Sequence, residues 1–198
     1  MIKALTAMFF AASLIACSAD APVTDDMWQL NGPASNISFI SVKNGDVVEV
    51  SRFSDLSGTV SEDGGARLEV DAGSVETLVD IRNERLRDIF FETSQFPVVP
   101  VTANLDPATF AALEVGDNLD MEVELTVSLR GVARSVYANV RLIRNGADSV
   151  LVISSEPALI DARDFGLDDA VTALAEIAGL EAITPVFPVS VYLVFERG

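Results

Sequence analysis

Histidine is missing altogether, and cysteine occurs once, at Cys17. Without histidine there is no Ser-His-Asp triad, no Cys-His pair and no imidazole-ligated metal. With one cysteine there is no disulfide framework. Positive charge is scarce: 13 Lys and Arg stand against 30 Asp and Glu, a net charge of −17. A surface of that sign repels nucleic acid and anionic head groups, which argues against a nucleic-acid role and against membrane binding through a basic patch. No Walker-type phosphate loop and no EF-hand spacing occurs. Asp164-Phe165-Gly166 lacks the Gly-rich and catalytic loops that would make it a kinase triplet. Thirty acids give many chance carboxylate pairs, and none stands apart as an acid–base dyad. The expectation is therefore no enzyme, no metal and no catalytic residue.

Long apolar runs are also lacking. The run over residues 4–16, broken by Thr6 and Ser13 and preceded by Lys3, is shorter than the roughly 20 residues a spanning helix needs. It reads as a signal peptide, residues 1–16. Leu14-Ile15-Ala16-Cys17 resembles the lipobox of bacterial lipoproteins, which implies cleavage before Cys17 and its acylation. The acyl chains would hold firmly, each buried CH₂ adding ~0.8 kcal/mol. Ser18 rather than Asp after the cysteine favours the outer membrane, by analogy with other lipoproteins. The expected product is an exported, periplasm-facing envelope lipoprotein whose membrane contact is its anchor. Residues 17–27 then form the lipidated terminus and a polar tether, and residues 28–198 form one domain.

What is present is strand patterning. Residues 36–42 and 47–53 flank Lys43-Asn44-Gly45-Asp46, a turn signal, and Asp63-Gly64-Gly65 separates two further candidates. Over residues 120–130, Met121, Val123, Leu125, Val127 and Leu129 alternate with polar residues, so one face is buried and the other wet. Gly131 permits a tight reversal, and Val136, Ala138, Val140 and Leu142 continue the pattern. Asn145-Gly146 is the strongest hairpin signal. Eight or nine strands emerge, enough for a closed barrel or a sandwich. Acids on the wet positions and an aromatic content of only 7% count against an outer-membrane barrel with its aromatic girdles.

Helices interrupt the strands. One opens at Asp106-Pro107 and runs to Leu113. Asp164 is placed to cap another, with Leu167, Ala170, Val171, Leu174, Ile177 and Ala178 on its apolar face and Gly179 at its end. The third lies in the stretch from Arg82 to Pro97, with Leu78, Ile81, Leu86, Ile89 and Phe90 on one face. Thr77 and Asp80 have capping-box spacing, so it is expected to start near Thr77. The stretch is either a surface helix closing one end of a β-structure, or a cavity mouth lined by Phe90, Phe91 and Phe96.

Several segments in order carry a family resemblance: Trp28, Phe53-Ser54-Asp55-Leu56-Ser57-Gly58-Thr59-Val60, the stretch from Arg82 to Pro97, Leu125-Thr126-Val127-Ser128-Leu129-Arg130-Gly131-Val132 and Ile160-Asp161-Ala162-Arg163-Asp164-Phe165-Gly166-Leu167. Together they resemble the YceI-like, polyisoprenoid-binding, lipocalin-like proteins of bacterial envelopes. The resemblance implies a mainly β fold: an extended antiparallel eight-stranded lipocalin-like barrel with two or three short helices in its connections. It also implies a carrier or scavenger of isoprenoid lipids such as quinones, with no cofactor beyond such a bound lipid. Many members carry histidines, one of them before the position of Leu86. Here Arg85 stands there, so a haem or metal role through that residue does not transfer.

The candidate ligand contacts are Phe90, Phe91, Phe96, Leu125, Val127, Val136, Ala138 and Val140, with Arg82 and Arg85 as head-group candidates. Alternation alone does not choose which strand face points inward. It fits equally a barrel filled by its own side chains, in which case the protein is a structural or interaction lipoprotein of the envelope.

Overall fold

A computed structural model describes residues 27–197. The signal peptide, Cys17 and all but the last residue of the tether lie outside the described residues. Twelve β segments occur among the described residues: β1 (Trp28–Leu30), β2 (Asn36–Lys43), β3 (Val47–Phe53), β4 (Leu56–Val60), β5 (Gly65–Asp71), β6 (Val75–Glu76), β7 (Val98–Asn104), β8 (Asn118–Leu129), β9 (Val132–Gly146), β10 (Ser149–Ser154), β11 (Ala158–Asp161) and β12 (Val186–Glu196).

Four pairs of these segments are halves of bent strands. β1 and β2 meet at the 3₁₀ turn Gly32–Ala34, β3 and β4 at Ser54-Asp55, β5 and β6 at the 3₁₀ turn Ala72–Ser74, and β10 and β11 at Ser155-Glu156-Pro157. Counted this way, eight antiparallel strands run in chain order around a closed barrel. β12 closes it, pairing with β1 through Gln29↔Glu196 and with β2 through Val189↔Phe39. Closure satisfies backbone groups that an open edge would leave as a template for aggregation.

The alternation in the sequence becomes the two faces of this wall. In β8, Val123, Val127 and Leu129 are buried between exposed Glu122, Glu124 and Thr126. Opposite them β9 buries Ala138, Val140 and Leu142, in the register Met121↔Val140, Val123↔Ala138 and Leu125↔Val136. Leu129↔Val132 leaves only Arg130 and Gly131 in the turn, at φ 47° and 79°. Two central residues with positive φ match the right-handed twist of the strands, and Gly131 adopts that region without strain.

The expected turn at Asn145-Gly146 is not where the chain reverses. Both residues stay in β9 and the tip is Ala147-Asp148, with a register shift between Ser149 and Leu151. A bulge absorbs the extra residues and overrides the local dipeptide preference.

The helices divide between the two ends. α1 (Asp80–Arg85) runs directly into a π-helical turn, Leu86–Phe91. α2 (Pro107–Ala111) and α3 (Asp168–Ile177) are separate. α1, the π turn and α3 lie in connections at one end, where β2, β6 and β11 finish. α2 lies at the other end with β1.

Two caps differ from expectation. Thr77 does not cap α1: its hydroxyl donates to Asn83 Oδ1 at 2.7 Å and its N–H to the same oxygen at 2.8 Å, and the helix starts at Asp80. Asp164 does not cap α3, which follows Leu167. Asp161 instead accepts from the N–H of Arg163 and caps the 3₁₀ turn Ala162–Phe165.

Candidate functional site

The inward faces do not meet in the middle. They enclose a cavity of about 820 Å³, within the range of about 300–1,000 Å³ usual for ligand sites. Every wall strand contributes apolar side chains, among them Ile37, Phe53, Val60, Leu68, Val101, Val123, Leu142, Val152 and Leu193.

One end is covered. Trp28 sits there under the guanidinium groups of Arg144 and Arg197, which lie 5.8 and 5.1 Å from its ring centre. The other end opens between α1, the C-terminal end of α3 and the β2–β3 hairpin. There the lining residues Val79, Ile81 and Ile177 are 39%, 52% and 49% exposed.

The π turn shapes the wall below this opening. Its wider spacing turns two consecutive side chains inward: Phe90 and Phe91 are both buried and both line the cavity. Their rings meet edge to face at 4.9 Å. Phe91 also meets Phe53 at 5.6 Å, and Phe90 meets Phe187 at 5.9 Å. Edge-to-face pairs are worth about 0.5–1.5 kcal/mol each beyond area burial, so this cluster is a rigid collar. Glu92, at φ 48°, ends the turn and pairs with Arg130 of the β8–β9 hairpin.

Of the residues singled out from the sequence, Phe90, Phe91, Leu125, Val127, Val136, Ala138 and Val140 line the cavity. Phe96 does not. Its ring faces the turn at Gly131 between β8 and β9. Arg82 and Arg85 line the opening on one face of α1. Sequence reasoning missed Lys43, Glu49 and the aromatic partners Phe39, Phe53 and Phe187. Period two along β2 could have found Lys43, since Phe39, Ser41 and Lys43 share a face with Ile37 and all four line the cavity.

The polar interior is small and satisfied. Among the described residues no buried side-chain nitrogen or oxygen lacks a partner. Asn83, 4% exposed, accepts twice from Thr77 and donates to Glu76 at 3.2 Å, tying α1 to the end of β6. The carboxyls with displaced pKa values lie away from the cavity. Asp63, Glu76, Asp120 and Asp161 are held below the ordinary range, chiefly by Ser61, Asn83, Arg141 and Arg163 respectively. Among the described residues no carboxylate lines the cavity. No cluster of acids or thiols there is placed to hold a metal ion.

A family model for the YceI-like domain matches residues 28–195. The chain belongs to the YceI-like family. A solved polyisoprenoid-binding domain from Saccharophagus degradans, implicated in plant cell wall breakdown, is 36% identical to it. The two superpose with a TM-score of 0.83 over 86% of this chain and 98% of that one. BcnA from Burkholderia cenocepacia, 16% identical, shares the YceI-like fold with a TM-score of 0.62 over 83% of this chain and 98% of its own. No curated protein matches the sequence.

Proposed function

We propose that this YceI-like barrel binds one polyisoprenoid or similar amphiphilic lipid, for example a quinone, and holds it for transport, storage or scavenging without chemical change. The observation that carries the reading is the cavity itself: about 820 Å³, apolar along its length, covered at the Trp28 end and open at the α1–α3 end. A long chain entering it loses contact with water at roughly 25 cal/mol per Å². Closed β-walls hold the tunnel in shape, so little ordering cost falls on the protein. The polyisoprenoid-binding relative at 36% identity supports the same ligand class. A barrel filled by its own side chains loses its premise, since the inward faces leave that volume between them.

The setting we propose is the cell envelope. Acylation at Cys17 would tether the barrel to a membrane, with the domain facing the periplasm, at the outer membrane. Incorporation of a labelled fatty acid that Cys17→Ser abolishes tests the anchor. Titration of the delipidated protein with isoprenoids of increasing length tests the binding. Affinity that rises with length and then levels supports a tunnel of finite depth; no binding at any length rejects it.

A further inference from the structure

The charged residues of the cavity are all of one sign. Lys43, Arg67, Arg82 and Arg85 line it, and no Asp or Glu does. In a chain with 30 acids and 13 bases, that is the reverse of the overall balance. Arg67 turns its charge to the outer face of β5, where it pairs with Glu69 at 2.5 Å. The other three gather at the open end.

Lys43 is deeply placed, its side chain 13% exposed, and pairs with Glu49. Arg82 reaches the same Glu49 oxygen at 2.7 Å. One carboxylate is thus shared by two cations. Arg85, one turn further along α1 and half-buried, pairs with no carboxylate among the described residues. Asp80 and Glu84 on the same helix, Asp46 on the β2–β3 hairpin, Glu176 at the end of α3 and Glu181 just after it are exposed to solvent and line none of the opening. Among the groups that line the opening and those paired with them, three cations share one carboxylate, an excess of two positive charges beside the route into an apolar cavity. Guanidinium groups hold phosphate or carboxylate oxygens in paired hydrogen bonds, stronger than bonds between neutral groups.

We infer that the opening selects an anionic head group, a phosphate or carboxylate, on the lipid whose tail fills the barrel. The inference rests on the lipid-binding reading and narrows it. A neutral alcohol or quinone head would leave the two charges without a partner, and a cationic head would be repelled.

The test uses the full chain, delipidated and loaded with the fluorescent apolar probe N-phenyl-1-naphthylamine. Geranylgeranyl phosphate, geranylgeraniol and inorganic phosphate are titrated separately. The phosphate ester is expected to displace the probe at a concentration about tenfold or more below that of the alcohol, as hydrogen bonds to charged groups predict. Inorganic phosphate, without a tail, should displace nothing. The Arg82→Gln, Arg85→Gln double variant should bring the ratio towards one. Glu49→Gln, which releases Lys43 and Arg82 from their shared partner, should raise it. Equal displacement by ester and alcohol, unmoved in both variants, overturns the anionic head group while leaving lipid binding intact. Displacement by inorganic phosphate alone overturns it in favour of a free-anion site. Failure of both lipids to displace the probe rejects the lipid-binding reading and the inference with it.

Discussion

Enlarging Ala138 separates a ligand cavity from a packed core. Ala138 is buried at mid-strand in β9 opposite Val123 and lines the cavity in the cluster with Leu113, Val140 and Leu142, on the side of α2 rather than at the opening. Ala138→Phe places a ring in that space. A benzene ring occupies a cavity of about 150 Å³, so roughly a fifth of the 820 Å³ is lost. That is room for about one five-carbon isoprene unit, worth up to ~4 kcal/mol at ~0.8 kcal/mol per CH₂. A chain that slides towards the opening keeps part of its contacts, so the expected loss is about 1.5–3 kcal/mol, ten- to hundredfold in affinity.

The loss should depend on length. An eight-unit isoprenoid quinone should lose affinity, while ten-carbon geraniol, which never reaches the blocked end, should not. Stability should behave in the opposite way. In a filled core the same change overpacks and costs about 1–3 kcal/mol. Here the ring enters open space, so the urea midpoint should hold or rise. Probe displacement with the two lipids and urea unfolding followed by far-UV circular dichroism give both quantities. A lowered midpoint with unchanged affinity for the long chain would refute the reasoning.

Two further outcomes follow from the end of the barrel that carries α1. Asn83→Ala leaves the buried N–H of Thr77 without its acceptor and its hydroxyl with only the Val79 carbonyl at 3.3 Å, at about 1–3 kcal/mol for an unsatisfied group. The urea midpoint should fall by the equivalent of about 1–3 kcal/mol, and a surface-like change below ~0.5 kcal/mol would contradict the tie between α1 and β6. Glu76 has its pKa lowered from 4.5, first by Asn83 and then by the N–H of Leu78. Its ionised form is thus favoured by folding, so its contribution is present above the unfolded value and lost as pH falls through the folded one. The stability gap between the native chain and Glu76→Gln should therefore be constant near neutrality and close below about pH 4.5. A gap that widens on acidification would reverse the assigned sign.

Much of the barrel was legible because period two is a strong signal when one face is wet. The buried residues of β8 and β9 are the apolar members of the alternation. What alternation could not say is how far the opposite walls stand apart, which is set by strand number and tilt rather than by any one strand. The cavity is therefore a property of closure, and the same valines would read identically in a filled core. The bends were illegible too, since β1 with β2 and β10 with β11 are joined through 3₁₀ and bulge-like segments that local patterns do not announce.

At the opening, the helix was visible but its π turn was not. Helical spacing alone places Phe90 and Phe91 on different faces, whereas the wider turn brings both inward. Phe96 reads as part of the same aromatic group, yet the left-handed Glu92 redirects the chain and sends it to the Gly131 turn. The pairing of Lys43 and Arg82 on Glu49 joins residues from β2, α1 and β3. Lys43 and Glu49 meet across one hairpin, whereas Arg82 comes from 33 residues further along the chain than Glu49, and no segment's own pattern encodes the shared carboxylate.

Native mass spectrometry of the gently purified full chain, followed by organic extraction and identification of what is released, tests the central claim most directly. The account predicts a protein carrying one apolar-tailed amphiphile per barrel, lost on delipidation and regained from vesicles that contain an isoprenoid lipid. A protein that is consistently free of lipid, and takes up none from such vesicles, would contradict it.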